Sequence, residues 1–337
     1  MRLVRLLTPL IVLSLVAVAC GGDDDTTDAD AASAAAVATA PGGSSDVPAT
    51  VTQPAGGPMS AVDSTGATIE LDGPAERIAC LTEPCVDVLV ELGLTPAAAS
   101  PNGVTSLPEF FGEGAAEIPS IGGSFFEPAI EDVVAAEPDL VIGLEGVHEP
   151  IRDALGDIPL YIVGIDTTDE ALEFLANAGT LTGHADLAAD RAGAFTAKLD
   201  TAITGTDAEL SVAVVYTGAY GFNINGTGSS VTAQMLSQIV DYPFVDEDAA
   251  DHDGGYAQFS VEQLLAADPD WVFVNTIDDD GGQGEPSSVV MANDAVWGRL
   301  SAVAAGQVVD TRTPLWQYGR GTHSLGIILD EFLAAIA

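Results

Sequence analysis

The groups that could hold a metal or move protons in this chain are four histidines, three cysteines and 51 acids among 337 residues. His148, His184, His252 and His323 are scattered, with no HxxxH pair and no His/Cys cluster, so the spacing supports no direct zinc or manganese site. His184 falls on a predicted helix, and His148 and His323 fall in predicted loops, where a solvated ring is expected. Asp278-Asp279-Asp280 and the stretch from Asp246 to Asp253 offer oxygen ligands for calcium. Neither follows the EF-hand order, and both are read as solvated loops. The sequence holds no GxSxG elbow, no phosphate-binding loop and no Ser/His/Asp order, so nothing points to an enzyme. Three cysteines are too few for a disulfide-built scaffold and lack paired CxxC spacing.

The acids face only nine Lys and Arg, a formal charge of -42, and Lys198 is the single lysine. Such a surface repels phosphate backbones and anionic headgroups, which excludes a nucleic-acid binder and a polybasic membrane sensor. With 47% apolar residues the chain is long enough for about two domains and a substantial core.

Arg2 and Arg5 precede an apolar run from Leu6 to Ala19. It is shorter than the ~20 residues of a membrane-spanning helix and suits a signal-peptide core. The run ends Ala17-Val18-Ala19-Cys20, which resembles the lipobox of bacterial lipoproteins, although that family prefers Leu where Ala17 stands. Residues 1–19 are therefore expected to be a signal peptide, with Cys20 acylated as a lipid anchor; the alternative is an ordinary secretory signal with an incidental Cys. Removing 1–19 leaves seven basic residues against 51 acids, a charge of -44. Residues 20–60 are small, acidic and rich in Pro, Gly and Ala, without an aromatic, and cannot offset ordering entropy. They are expected to be a disordered tether with an end-to-end distance of roughly 35 Å.

The body carries an internal repeat. IEDVVAAEPDLVI (130–142) and VEQLLAADPDWVF (261–273) share six identities in thirteen at an offset of 131. Each predicts an amphipathic helix stopped at Glu137-Pro138 or Asp268-Pro269 and then a buried strand. Two α/β lobes of similar build follow. Residues 61–72 predict an opening hairpin around Ser64-Thr65-Gly66, 77–81 a strand and 84–92 a helix. Residues 211–218, 270–276 and 306–311 predict strands, and 324–337 a closing helix. Between the lobes, residues 184–203 predict a helix ~30 Å long. The expected division is an N-terminal lobe at 61–166, an interlobe helical region at 167–205 and a C-terminal lobe at 206–337.

Six segments, AVDSTGATIELDGPAERIACL (61–81), LGLTPAAAS (92–100), IGGSFFEPAIEDVVAAEPDLVIG (121–143), LTGHADLAADRA (181–192), FSVEQLLAADPDWVFV (259–274) and WGRLSAVAAGQVVDT (297–311), together resemble the substrate-binding proteins of bacterial ABC importers. The class is the one that captures ferric siderophores, cobalamin and haem. The resemblance implies two Rossmann-like α/β lobes with mainly parallel sheets, bridged by a long helix, with the ligand in the cleft between lobes. One departure stands out: many relatives carry a Ser/Pro-containing turn after the first strand, where this chain has Leu81-Thr82-Glu83-Pro84-Cys85.

The resemblance further implies an extracytoplasmic monomer that holds an iron chelate, alternatively cobalamin or haem, uses no cofactor and delivers to ABC permease subunits; a tethered sensor or an enzyme on the same fold is the remaining alternative. By position it makes Phe125, Tyr216, Tyr256 and Trp316 aromatic walls of the cleft, with Phe126, Tyr220 and Phe222 as weaker candidates; core packing is the alternative for any of them. It places Arg320 in a Gly-rich cleft loop, where its guanidinium suits the oxygens of an anionic chelate, a salt bridge being the alternative. His148 and His323 fall in cleft loops too, where contact with ligand or haem iron is the alternative to a solvated ring. Glu131 and Glu262, equivalent in the repeat, match the acids that dock onto permease arginines. Cys80 and Cys85 lie at one strand-to-helix turn and either form a short disulfide or remain two free thiols.

Overall fold

The computed structural model describes residues 57–218, 221–246, 259–277, 286–292 and 294–337. The expectations for the signal peptide, Cys20, most of the tether, Tyr220, His252, Tyr256 and Asp278 to Asp280 lie outside the described residues.

The chain opens with a hairpin, β1 (Met59–Val62) and β2 (Thr68–Leu71), paired antiparallel with Val62 opposite Thr68. Asp63 makes its turn. One carboxylate oxygen accepts from the backbone N–H of Thr65 and Ala67 at 3.0 and 2.9 Å, and the other accepts from Ile162 N–H at 3.2 Å. A single buried side chain thus shapes the turn and ties the hairpin to the first sheet.

That sheet contains β3 (Ile78–Cys80), β4 (Ala98–Ala99), β5 (Leu140–Leu144) and β6 (Leu160–Val163) in the order β4-β3-β5-β6, all parallel. Helix α1 (Glu83–Glu91) follows β3, and α2 (Ile130–Ala135) precedes β5. Two longer helices come next, α3 (Thr168–Leu181) and α4 (Ala185–Gly205). The second sheet holds β7 (Val212–Gly218), β8 (Asn223–Ile224), β9 (Trp271–Ile277) and β10 (Val308–Asp310) in the order β10-β9-β7-β8. Only β8 runs antiparallel. Its helices are α5 (Val231–Ser237), α6 (Val261–Ala267), α7 (Ser287–Met291), α8 (Ser301–Ala305), α9 (Thr313–Trp316) and α10 (Thr322–Ile336).

The repeat has a physical purpose that its apolar pattern does not display. Glu137 and Asp268, at the same place in the two copies, are the two non-glycine residues with positive φ (47° and 45°) among the described residues. Each ends a short helix so that the following proline leads straight into a strand. The aspartate after that proline then fastens the neighbouring strand. Asp139 accepts from the N–H of Glu76 and Arg77 at 2.8 and 3.0 Å, just before β3. Asp270 accepts from Ser211 N–H at 2.9 Å, just before β7. In both sheets the Pro-Asp pair sets where two parallel strands start.

Helix α10 packs on α1, α3 and α4, joining the second sheet's last helix to the first sheet's helices. Its N-terminal amides meet Asp87 of α1, which is 1% exposed. The carboxylate accepts from the backbone N–H of His323 and Ser324 at 3.1 and 2.9 Å and from the Ser324 hydroxyl. Burial pushes the Asp87 carboxyl up to about 6, opposed by His323 and the Ser324 hydrogen bonds. Gly321 allows this approach, because a Cβ there would lie 2.0 Å from the Asp87 Oδ1. Asp87→Ala should strand the buried amides and lower unfolding free energy by about 2–3 kcal/mol, read by urea denaturation. A change under about 0.5 kcal/mol would mean that water replaces the carboxylate.

Candidate functional site

In open α/β sheets the carboxyl ends of parallel strands carry the loops that bind ligands. At that edge of the second sheet lies a depression with an empty volume of about 420 Å³, mouth included. Tyr216 from β7, Asn223 and Asn225 around β8, Ser229, Ser230 and Thr232 at the start of α5, and Gln317, Gly319 and Arg320 line it. Its polar side chains are tied to one another: Asn223 donates to the Tyr216 hydroxyl at 2.7 Å, and Gln317 Oε1 accepts from Asn225 and buried Asn275, each at 3.3 Å. Interlocked neutral groups of this kind hold a fixed set of donors and acceptors toward a ligand.

A second depression, about 450 Å³ with its mouth, sits beyond the end of β4 and is lined by Ser100, Asn102, Thr105, Ser106 and Ser120 with Ala99, Pro101, Ala115 and Ile118. The loop that lines it touches the chain segment that lines the first. Arg312 binds Glu109 at 2.9 Å and also pairs with Glu331, while His323 Nε2 lies 2.8 Å from the Glu109 carbonyl and its ring meets Phe110 edge-on. Residues 312–323 therefore line part of the first depression and touch the loop that carries the second.

Arg320 is half-buried and makes no ion pair among the described residues. Its charge acts on Glu83, the first residue of α1 at the carboxyl end of β3; burial raises the Glu83 carboxyl and Arg320 opposes that shift. The disulfide Cys80–Cys85, with Cα atoms 5.4 Å apart, brackets Glu83 and fixes the turn that carries it.

The aromatic pair differs from a solvated loop tip. Phe125 is 36% and Phe126 72% exposed, their rings stacked edge-to-face at 5.3 Å. Beneath them His148 is fully buried, which corrects its reading as a solvated loop residue. Its Nδ1 accepts from Leu144 N–H at 2.8 Å and its Nε2 lies 2.8 Å from the Phe125 carbonyl. Only the Nε2–H tautomer satisfies both, and burial holds the ring's pKa below its usual value. The histidine staples the Phe125 loop to the end of β5.

Three further expectations are corrected. Trp316 is 2% exposed, stacked on Phe273 at 5.0 Å with 12° between planes, and donates from Nε1 to Glu331 at 2.7 Å. It is core, carried on the short helix α9, which has Pro314 in its first turn. His323 lies in the first turn of α10, outside any loop. Asp246 is buried, accepting from Gly228 N–H and the Ser229 hydroxyl. His184 stands just before α4, its Nδ1 2.8 Å from the Thr182 carbonyl. Phe222 is half-buried against the core. Glu131 and Glu262 are exposed near the N-termini of α2 and α6. No group of three or more His, Cys, Asp or Glu among the described residues is placed to hold a metal, and none of their helices is long and apolar enough to cross a membrane. The sequence reading missed Asn223, Asn225, Ser230, Gln317 and Glu83's link to Arg320.

A family of periplasmic binding proteins matches residues 78–315. The Fe(3+)-citrate-binding protein YfmC of Bacillus subtilis (strain 168) is 24% identical over 271 residues, 78% of this chain and 81% of that one. The petrobactin-binding protein YclQ from Bacillus subtilis superposes with a TM-score of 0.69 at 18% identity, covering 83% of this chain and 98% of that one. An ABC-type Fe3+-hydroxamate transport system from Saccharomonospora viridis DSM 43017 gives 0.62 at 21%, covering 83% and 99%. These likenesses agree with the fold of two parallel-stranded sheets and long helices built above from the residues. The family match spans both sheets and the helices between them, and the chain belongs to the periplasmic binding protein family.

Proposed function

We propose that this protein captures a ferric chelate beside Arg320 and hands it to an ABC permease. The observation that carries the reading is the depression at the carboxyl edge of the second sheet, where Tyr216, fixed carboxamides and a guanidinium without an ion pair among the described residues converge. Such donors suit the oxygen-rich shell of a chelate, and Tyr216 offers apolar area at small entropy cost. The relatives above bind ferric citrate and petrobactin or belong to a ferric hydroxamate system, which supports iron chelates as the class.

Isothermal titration of the purified protein against ferric hydroxamates, ferric catecholates, ferric citrate, cobalamin and haem tests this directly. Binding of an iron chelate is expected, and exclusive binding of cobalamin would overturn the assignment. Tyr216→Ala and Phe125→Ala should each weaken the bound chelate by about 1–3 kcal/mol, roughly ten- to a hundredfold, with folding intact. Unchanged affinity in both would place the ligand elsewhere.

Delivery requires the protein to stay near the membrane. Cys20 is proposed to carry that anchor, supported by the small residues before it and the charged, apolar leader. Cys20→Ser should release the protein from the membrane fraction, and a wild-type mass without lipid would exclude the anchor. Glu131 and Glu262 are the proposed contacts to the two permease subunits.

A further inference from the structure

Resting on the reading that a ferric chelate sits beside Arg320, we infer that Gln317 is a specificity-determining residue: its Nε2 donates to an acceptor oxygen of the chelate, in an orientation imposed by Asn225 and Asn275. Gln317 follows α9, is half-buried and lines the depression at the carboxyl edge of the second sheet. Its Oε1 accepts from Asn225 Nδ2 and from Asn275 Nδ2, each at 3.3 Å. A carboxamide carries one acceptor oxygen and one nitrogen with two N–H donors, so fixing the oxygen fixes the nitrogen. With Oε1 turned to the two asparagines, Nε2 is the end left for a ligand, and it makes no hydrogen bond among the described residues.

The asparagines are themselves held in place. Asn275 is fully buried in β9, opposite Tyr216 of β7, and its Oδ1 accepts from the Thr311 hydroxyl at 2.6 Å, which leaves Nδ2 for Gln317. Asn225 is buried too. Its backbone N–H donates to the Val214 carbonyl at 2.8 Å, and its carbonyl accepts from the Tyr242 hydroxyl at 2.6 Å. Its Nδ2 donates to Ser230 Oγ as well as to Gln317, each at 3.3 Å. A turned Gln317 amide would set N–H against N–H at both asparagines, so the network admits one orientation. A buried carboxamide within the strand Trp-Val-Phe-Val-Asn-Thr-Ile costs free energy unless it is paired, and here one of its partners is a side chain of the site. Arg320, three residues further on, lines the same depression and has donors only. The oxygens around ferric iron are acceptors and match both residues, whereas an ammonium or amide N–H of a ligand would face donors there.

The test titrates wild type calorimetrically with ferric citrate, the ferric complex of desferrioxamine B and a ferric tris-catecholate, and carries the tightest binder through the variants. Gln317→Ala should weaken it about tenfold. Gln317→Glu keeps the shape and the oxygen toward the asparagines but sets a charged acceptor against the chelate, so a loss of about a hundredfold is expected. Both variants change a half-buried side chain, and thermal melting confirms that they fold. Asn275→Ala should weaken binding severalfold alone and add nothing in the Gln317→Ala background, which separates orienting the amide from loosening β9. If Asn275→Ala melts early, Asn225→Ala takes its place in the same cycle. Unchanged affinity in Gln317→Ala, or a Gln317→Glu protein that binds as tightly as wild type or more so, overturns the donor role and leaves the iron-chelate reading in place. Losses that simply add in the cycle overturn the orienting role of the asparagines. A wild type that binds no ferric complex removes both the inference and the reading it rests on.

Discussion

Alanine at both Glu131 and Glu262 should reduce iron uptake by intact cells to near background while chelate affinity and Tm stay almost unchanged. The two side chains stand at the second position of α2 and α6, exposed and without an ion pair among the described residues. Each helix runs into a parallel strand, β5 or β9, so each N-terminus lies toward the carboxyl edge of its own sheet, the edge that holds the depressions. An acid in the first turn of a helix stabilises it by about 0.5 kcal/mol, and that contribution alone predicts a small drop in Tm with normal uptake. Two acids in equivalent places, one per sheet, instead offer two separated charges to a partner with matching basic sites. Such contacts steer association and fix orientation, and losing both removes more than twice the effect of one. Uptake of labelled iron, titration of the chelate and thermal melting on the single and double variants check this. Normal uptake in the double variant, or a collapse of chelate affinity, would give these carboxylates another purpose.

The framework was legible where sequence and structure share one periodicity. The repeat revealed helix, stop and strand in both sheets because a helical apolar stripe, a proline and a buried strand each leave a distinct mark. β6 left none: Leu160 to Val163 is buried throughout, so four apolar residues carry no alternation to separate strand from buried helix. β4 and β8 span two residues each, below any readable period. In the site, Arg320 could be found because basic residues are scarce, whereas Asn225, Ser230 and Gln317 are common residues whose importance comes from meeting one another. His148 reads like any loop histidine until Leu144 and Phe125 are brought to its two nitrogens by β5 and the loop before α2. The Pro-Asp pairs were visible as helix stops, but their second task, binding the amides ahead of the adjacent strand, depends on a partner some sixty residues away in sequence.

Trp316→Ala should cost about 3–5 kcal/mol of unfolding free energy, the usual range for emptying a buried indole site, and should affect the chelate only through that loss. In a segment reading Thr-Pro-Leu-Trp-Gln-Tyr-Gly-Arg-Gly, the tryptophan resembles a loop aromatic waiting for a ligand. The structure gives it a different set of neighbours. One face of the indole lies on Phe273 in the middle of β9, Phe273 also meets Phe332 of α10 at 5.6 Å, and the indole N–H is bound to Glu331. The Trp316 carbonyl accepts from the Thr232 hydroxyl at 3.2 Å, linking α9 to α5 beneath the depression. Truncation therefore opens a cavity between sheet and closing helix and leaves Glu331 with Arg312 as its remaining partner. Trp316→Phe separates the two contributions: it keeps most of the stacking and loses the N–H, so a smaller cost of about 1–2 kcal/mol is expected. Urea denaturation measures both variants. A stable Trp316→Ala protein with a hundredfold weaker chelate would return the ring to the cleft, because a wall residue contributes to the ligand, whereas this indole contributes to the packing of β9 against α10.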